Sequence, residues 1–159
     1  MRDDGDALAA LNADPEVTRF LKPLDHAGSL AQAARFAAHW DEHGFGLWAV
    51  VPREEGAPCI GFAGLAIASF LPVILPAVEV GWRLAPAWWG RGLATEAARA
   101  SIAFGFERLG LRSIVSVIDP RNERSLRVAE KLGMRAAPDR VHPVTRRRLR
   151  VMQVGRPET

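Results

Sequence analysis

Residues 77–118 constrain this chain more than any other stretch. From Ala77 to Leu84 the side chains alternate, with Val78, Val80, Trp82 and Leu84 on one side and Ala77, Glu79, Gly81 and Arg83 on the other. That two-residue period is the mark of a strand. The run breaks into Ala85-Pro86-Ala87-Trp88-Trp89-Gly90-Arg91-Gly92, and a helical pattern follows through Leu109 with Gly110 as its stop. Ser113–Ile118 is β-branched and reads as the next strand. Strand, helix and strand in such quick succession predict a crossover between parallel neighbours.

The rest of the chain adds elements around that unit. A short helix is expected to run to about Ala13, its positive end facing Asp3, Asp4 and Asp6, and Asp14-Pro15 stops it. Ser29-Leu30-Ala31-Gln32 reads as a capping box opening a second helix that ends at Gly44, with Ala33, Phe36, Ala37 and Trp40 as its core stripe. Strands are predicted at Leu47–Val51, Ile60–Ala68 and, at the end, Thr145–Val154, with an Asn122-capped helix closed by Gly133 between. The twenty uncharged residues from Cys59 to Val78 have the length of a membrane span, but Gly61, Gly64, Pro72 and Pro76 interrupt them, so two strands and a loop are expected instead. At 159 residues and 17.4 kDa the whole, residues 1–159, reads as one mixed α+β domain.

Composition removes several kinds of chemistry. There is no Tyr, so no phenol can act as acid, base or nucleophile. One cysteine, Cys59, excludes an internal disulfide and a multi-Cys zinc site. His39 and His43 share a helix face, but no HExxH accompanies them; they read as a solvated helix end, and no metal is expected. The chain opens Met-Arg-Asp-Asp-Gly-Asp without a secretory signal, so a cytoplasmic location is expected. The net charge of +3 hides −6 over residues 1–80 and +9 over residues 81–159, a basic half suited to a phosphate-rich partner. Arg146, Arg147, Arg148 and Arg150 raise nucleic acid as that partner, but no aromatic residues interleave with them, which disfavours it.

Gly90 and Gly92 allow a turn that leaves successive N–H groups free, Arg91 sits inside it, and the helix behind adds its own unpaired donors. This is the make-up of a diphosphate cradle, although Gly-x-Gly by itself is usually only a turn. Val78-Glu79-Val80-Gly81-Trp82-Arg83-Leu84, Trp89-Gly90-Arg91-Gly92-Leu93-Ala94-Thr95-Glu96-Ala97 and Asp119-Pro120-Arg121-Asn122-Glu123-Arg124-Ser125-Leu126 stand in register. With Ala10-Leu11-Asn12-Ala13-Asp14-Pro15-Glu16-Val17, they resemble the GCN5-related N-acetyltransferase (GNAT) family over nearly the whole chain, and most closely its RimJ/RimL-like branch, which acetylates ribosomal-protein N-termini.

The resemblance implies a mixed, mostly antiparallel sheet flanked by helices, and acetyl-CoA as co-substrate. Of the family's Gln/Arg-x-x-Gly-x-Gly/Ala motif, Gly92 and Ala94 match, while Trp89 stands where Gln or Arg is usual. By resemblance, backbone N–H groups from Gly90 through Arg91, Gly92, Leu93 and Ala94 to Thr95 hold the diphosphate. The backbone around Trp82–Leu84 pairs with the pantetheine arm, and Asn122 and Ser125 face the arm and thioester. Helix capping is the other reading of Asn122 and Ser125. Many relatives carry a thiolate-protonating Tyr where this chain has Ala129, so Ser125 takes that role or no acid is used. Glu79 is the expected base; an ion pair with Arg83 is the alternative, opposed by the ~13 Å between strand positions four apart.

The implied activity is acetyl transfer to a primary amine, with a protein N-terminal α-amine favoured because its pKa of about 7.7–8.0 lies well below the ~10.4 of lysine. Phe45, Trp48, Phe70 and the Leu71–Leu75 loop are open to two readings, acceptor pocket or core and dimer patch. The family's opening strand is missing here or the start has been trimmed, and a lost edge strand would expose its neighbour and encourage a homodimer. Arg150, Met152 and Gln153 replace the His and Tyr of the branch's closing strand. A non-catalytic acyl-CoA-binding module is the alternative function.

Overall fold

The structure, a computed structural model, describes residues 4–157. Three helices come first, α1 (Gly5–Ala13), α2 (Pro15–Thr18) and α3 (His26–His43), then strands β1 (Leu47–Val50), β2 (Gly61–Ile67) and β3 (Val78–Leu84). Helix α4 (Leu93–Glu107), strand β4 (Ser113–Ile118), helix α5 (Glu123–Lys131) and strands β5 (Arg135–Val141) and β6 (Arg148–Gly155) complete the chain. Among the described residues the strands form one six-stranded sheet in the order β1-β2-β3-β4-β6-β5, antiparallel except for the β3–β4 pair. This is the mixed α+β sheet the sequence predicted, with the crossover where it was expected. No strand precedes α1 among the described residues, and β1, at the free edge, is only four residues long. Asp3 lies outside the described residues.

The two faces of the sheet are covered differently. Val80 on β3, Ile114 and Ile118 on β4 and Met152 on β6 pack under α4 and α5 against Ala98, Ile102, Phe106 and Ala129. On the other face α1 and α3 cover one half, through Leu8 and Ala33 on Phe62. The segment after β2 covers the rest, through the fully buried Leu71 beside Val115 and Val151. Burial of such side chains, at about 25 cal/mol per Å² of apolar surface, drives the assembly.

Several local expectations needed correction. The capping box at Ser29 does not form. Asp25 caps α3 through Gly28 N (2.7 Å), while Ser29 is buried inside the helix and accepts from Asn12 Nδ2 (3.0 Å). Asp14 does more than stop α1, since its carboxylate caps α2. His39 is not solvated. Its Nδ1 meets Phe45 O (2.8 Å) and its Nε2 accepts from Ile67 N (3.1 Å), so the ring ties the end of α3 to β2. The closing strand is a hairpin, because β5 escaped notice. Pro138 lies in it, and the pairing shifts register between Ala137 and Arg140. An edge strand with a bulge tolerates the missing N–H.

Candidate active site

β3 and β4 run parallel but share a single register pair, Glu79 with Val115. Ala85 N donates to Ile60 O (2.8 Å). Because backbone groups alternate along a strand, the odd residues of β3 bond β2, and the even ones, Val80, Trp82 and Leu84, turn toward β4. With the strands parting after one rung, the backbone of Trp82 and the N–H of Leu84 face an open wedge.

Glu79 stands at the closed end of that wedge. Its Oε1 accepts the N–H of Val117 (3.1 Å), a donor that the next parallel rung would give to the β3 backbone. One carboxylate thus completes the hydrogen bonding where the sheet splits. Desolvation pushes the Glu79 carboxyl up from 4.5 to about 7, against the pull of the Val117 N–H. A group titrating there can both take and release a proton near neutrality. Arg83 does not pair with it: the Arg83 guanidinium donates to Asn12 Oδ1 and lies 5.1 Å from the centre of the Phe62 ring.

The loop after β3 builds the open end. A short 3₁₀ turn, Pro86–Trp88, precedes Gly90 and Gly92, whose φ angles of 75° and 79° are left-handed. A Cβ at either would meet nothing within 4 Å, so backbone conformation, not crowding, requires glycine here. Gly92 caps α4 and no side chain caps it in turn. The N–H groups of Leu93, Ala94 and Thr95 therefore have no partner inside the helix and carry its positive end. Gly90, Arg91 and Gly92 are exposed, Leu93 and Ala94 half-buried, and Thr95 buried beneath them. Trp89 is spent on structure. Its Nε1 donates to Leu84 O (2.8 Å), and the Arg124 guanidinium lies 4.4 Å from its ring centre. Arg91 covers Trp88 in the same way at 4.7 Å.

Beyond β4, Asn122 caps α5, its Oδ1 accepting from Ser125 N at 3.2 Å. The Ser125 hydroxyl, half-buried, forms no hydrogen bond within the described residues. Ala129 is fully buried in the core beneath α4, so a thiolate acid is not supplied from that position.

Sequence reasoning missed a clamp at this end of the sheet. The Asp119 carboxylate, held down to about 2 chiefly by the hydrogen bond from Arg121, also accepts from Arg147. Arg147 in turn donates to Phe20 O (3.2 Å) and the Arg121 guanidinium lies over the Phe20 ring at 5.6 Å. Asp119-Pro120-Arg121 carried only a turn signal, and Arg147 was hidden in a run of arginines. That run is largely committed, since Arg148 and Arg150 donate to Asp139 at 2.8 and 2.6 Å, and the nucleic-acid reading loses most of its free charge. Phe45 packs in the core, and half-buried Trp48 meets Trp40 and Phe104 edge to face, as the core reading expected. Phe70 is 40% exposed and stacks on His142.

A sheet split behind one parallel rung, with an uncapped helix N-terminus at its open end, suits an extended ligand that ends in a diphosphate. The acetyltransferase (GNAT) domain family matches residues 1–135, and the chain belongs to it. The uncharacterized N-acetyltransferase YoaA of Bacillus subtilis (strain 168) is 31% identical over 137 residues, 82% of this chain and 73% of that one. An acetyltransferase structure from Agrobacterium tumefaciens str. C58 superposes with a TM-score of 0.82 at 28% identity, covering 97% of this chain and 86% of that one. The yncA structure from Salmonella typhimurium, solved with its cofactor acetyl-CoA, shares the fold with a TM-score of 0.74 at 20% identity, covering 100% of this chain and 92% of that one. Acetyl-CoA is the co-substrate of the family. The donors and left-handed glycines at the head of α4 fit its diphosphate, and the open strand edge fits an extended arm. Among the described residues no cluster could hold a metal ion.

Proposed function

We propose that this chain, as a single N-acetyltransferase domain, moves the acetyl group of acetyl-CoA to a protein N-terminal α-amine, in the manner of the RimJ/RimL-like branch. The observation that carries the reading is Glu79, a carboxyl at about 7 at the closed end of the wedge. In a ternary complex the neutral amine attacks the thioester carbonyl, a C–N bond forms as the C–S bond breaks, and the amine's proton passes to Glu79, directly or through water. The backbone from Gly90 to Thr95 holds the diphosphate, the Trp82 and Leu84 edge pairs with the arm as an added strand, and Asn122 orients the first turn of α5. Ser125, its hydroxyl uncommitted, donates to the departing sulfur; a thiol of pKa about 8.5 leaves readily even without it.

Proton affinities favour the α-amine. Passing a proton from an α-ammonium (about 7.7–8.0) to a carboxyl at about 7 is uphill by roughly one unit, or ~1.4 kcal/mol. From lysine (about 10.4) the step is uphill by roughly 3.4 units, or ~4.6 kcal/mol. The reading places the chain in the cytoplasm, as a homodimer at the edge beside β1. None of the described helices is long and apolar enough to cross a membrane.

Incubation with acetyl-CoA and a panel of N-terminal peptides, polyamines and lysine side-chain analogues, with titration of released thiol, tests the proposal. Release with peptide α-amines is expected. Release with polyamines alone would move the acceptor to that class. Coenzyme binding without release on any acceptor would leave the non-catalytic module.

A further inference from the structure

The open end of the wedge carries charge that the fold does not balance. Val80, Ile114 and Ile118 face α4 and α5, so by strand alternation Glu79, Val117 and Asp119 lie toward the opposite face. That is the face α1 and α3 cover, and the link between α2 and α3 brings Phe20 to Asp119 there, through Arg147. Three guanidinium groups gather on Phe20. Arg19 lies 5.5 Å from the centre of its ring and Arg121 5.6 Å, while Arg147 donates to its carbonyl.

A single carboxylate answers them. Asp119, its side chain 7% exposed, takes Arg121 at 2.9 Å and Arg147 as well. Arg19 is exposed and pairs with no carboxylate among the described residues. Asp14 and Asp25, on either side of it in sequence, are spent on helix caps, and Glu16 forms no ion pair within the described residues. The cluster sets three positive charges against one negative, and Arg19 and Arg121 present them to solvent. Such a surplus attracts anions and repels cations.

Distance from the chemistry says which anion fits. Glu79 is level with Val115 and bonds Val117 N. Asp119 stands two to four residues further along β4, or roughly 7–13 Å at ~3.3 Å per residue. An extended peptide whose α-amine sits at Glu79 covers that interval by about its third to fifth residues. The donor diphosphate belongs to the head of α4, on the other face, and leaves the cluster free.

We propose that this cluster is a subsite for acidic peptide, by which the chain selects acceptors acidic at their third to fifth residues and rejects polycationic amines. As a statement about acceptors it rests on the α-amine reading and names the peptide class within it.

The test compares thiol release from acetyl-CoA with peptides that share their first two residues and carry glutamate, glutamine or lysine at the next three. KM is expected to rise in that order at low salt, glutamate leading glutamine by roughly threefold to thirtyfold, the worth of a few exposed ion pairs. The value of kcat should hardly move, since the charges lie away from the bond being made. Raising salt from about 0.02 M to about 0.5 M should shrink the gap by screening. Arg19→Gln should reduce the preference roughly twofold to fivefold with the KM for acetyl-CoA unchanged, and Arg19→Lys should keep most of it. Arg112→Gln, the same change of charge at the far end of β4, should leave it alone. Equal KM for the three peptides, a preference that Arg19→Gln leaves intact, or a rise in the KM for acetyl-CoA in its place would each overturn the proposal. Calorimetry of the N-acetylated glutamate and glutamine peptides, on the chain with coenzyme A bound, separates the cluster from turnover. If no peptide releases thiol the α-amine reading fails, and the subsite then stands if the glutamate peptide binds tighter and falls if the two bind alike.

Discussion

Replacing Glu79 by Gln removes a carboxyl whose ionisation the fold resists. The folded chain holds this group at about 7 against an ordinary 4.5. Between those values the folded protein binds more protons than the unfolded chain, so stability falls as pH rises, and the full cost stands above about pH 7. The shift of about 2.5 units corresponds to roughly 3 kcal/mol, an upper figure. Glutamine keeps an oxygen to accept the Val117 N–H but has no proton to lose. Glu79→Gln should therefore be more stable than the parent by up to ~3 kcal/mol near about pH 8, and nearly unchanged near about pH 4, where both side chains are neutral. For a chain of this size the gain is worth roughly 6–12 °C in Tm. Urea unfolding at the two pH values measures it. A variant equally stable or less stable near pH 8 would refute the claim that desolvation of Glu79 outweighs its hydrogen bond from Val117. A gain in stability coupled to lost turnover is what a functional group held against its own preference would show.

Other consequences are as direct. Gly92→Ala places a side chain at a φ of 79° and should cost about 1–2 kcal/mol; it should also weaken coenzyme A binding in calorimetry, whereas Gly110→Ala, strained alike at φ 66° but away from the wedge, should not. Trp89→Phe loses the bond to Leu84 O and should lower stability by about 1 kcal/mol in thermal melts. Asp119→Asn weakens the clamp that ties Phe20 to β4 through Arg147 and should lower the Tm in thermal melts at neutral pH. Because Asp119 is depressed to about 2, its stabilising contribution is present above its ordinary pKa and lost as pH falls toward 2, and the variant's acid unfolding should lack that component.

The elements around the crossover were legible because period and punctuation agree there. The alternation in 77–84, the glycines that follow and the β-branched run at 113–118 each point to one structure, and β4 fell on its predicted bounds. The hairpin at the end was half hidden: Ala136, Ala137 and Pro138 carry no strand signal, and only pairing to β6 makes them one. Ser29 misled for a related reason. Its spacing to Gln32 matches a capping box, but tertiary contact with Asn12 claimed both side chains. At the site, the identity of Glu79 could be read from strand position and resemblance. Its bond to Val117 could not, because that depends on β4 splitting away after a single rung. The clamp of Asp119, Arg147 and Phe20 joins residues 127 apart in sequence and left no local trace.

Whether Glu79 accepts the amine's proton in acetyl transfer is decided by the pH dependence of kcat/KM in the parent and in Glu79→Gln. The parent should show an acidic limb with an apparent pKa of about 7, and Glu79→Gln should lose roughly 10²–10⁴-fold in rate together with that limb. An unchanged profile and rate in Glu79→Gln would contradict it.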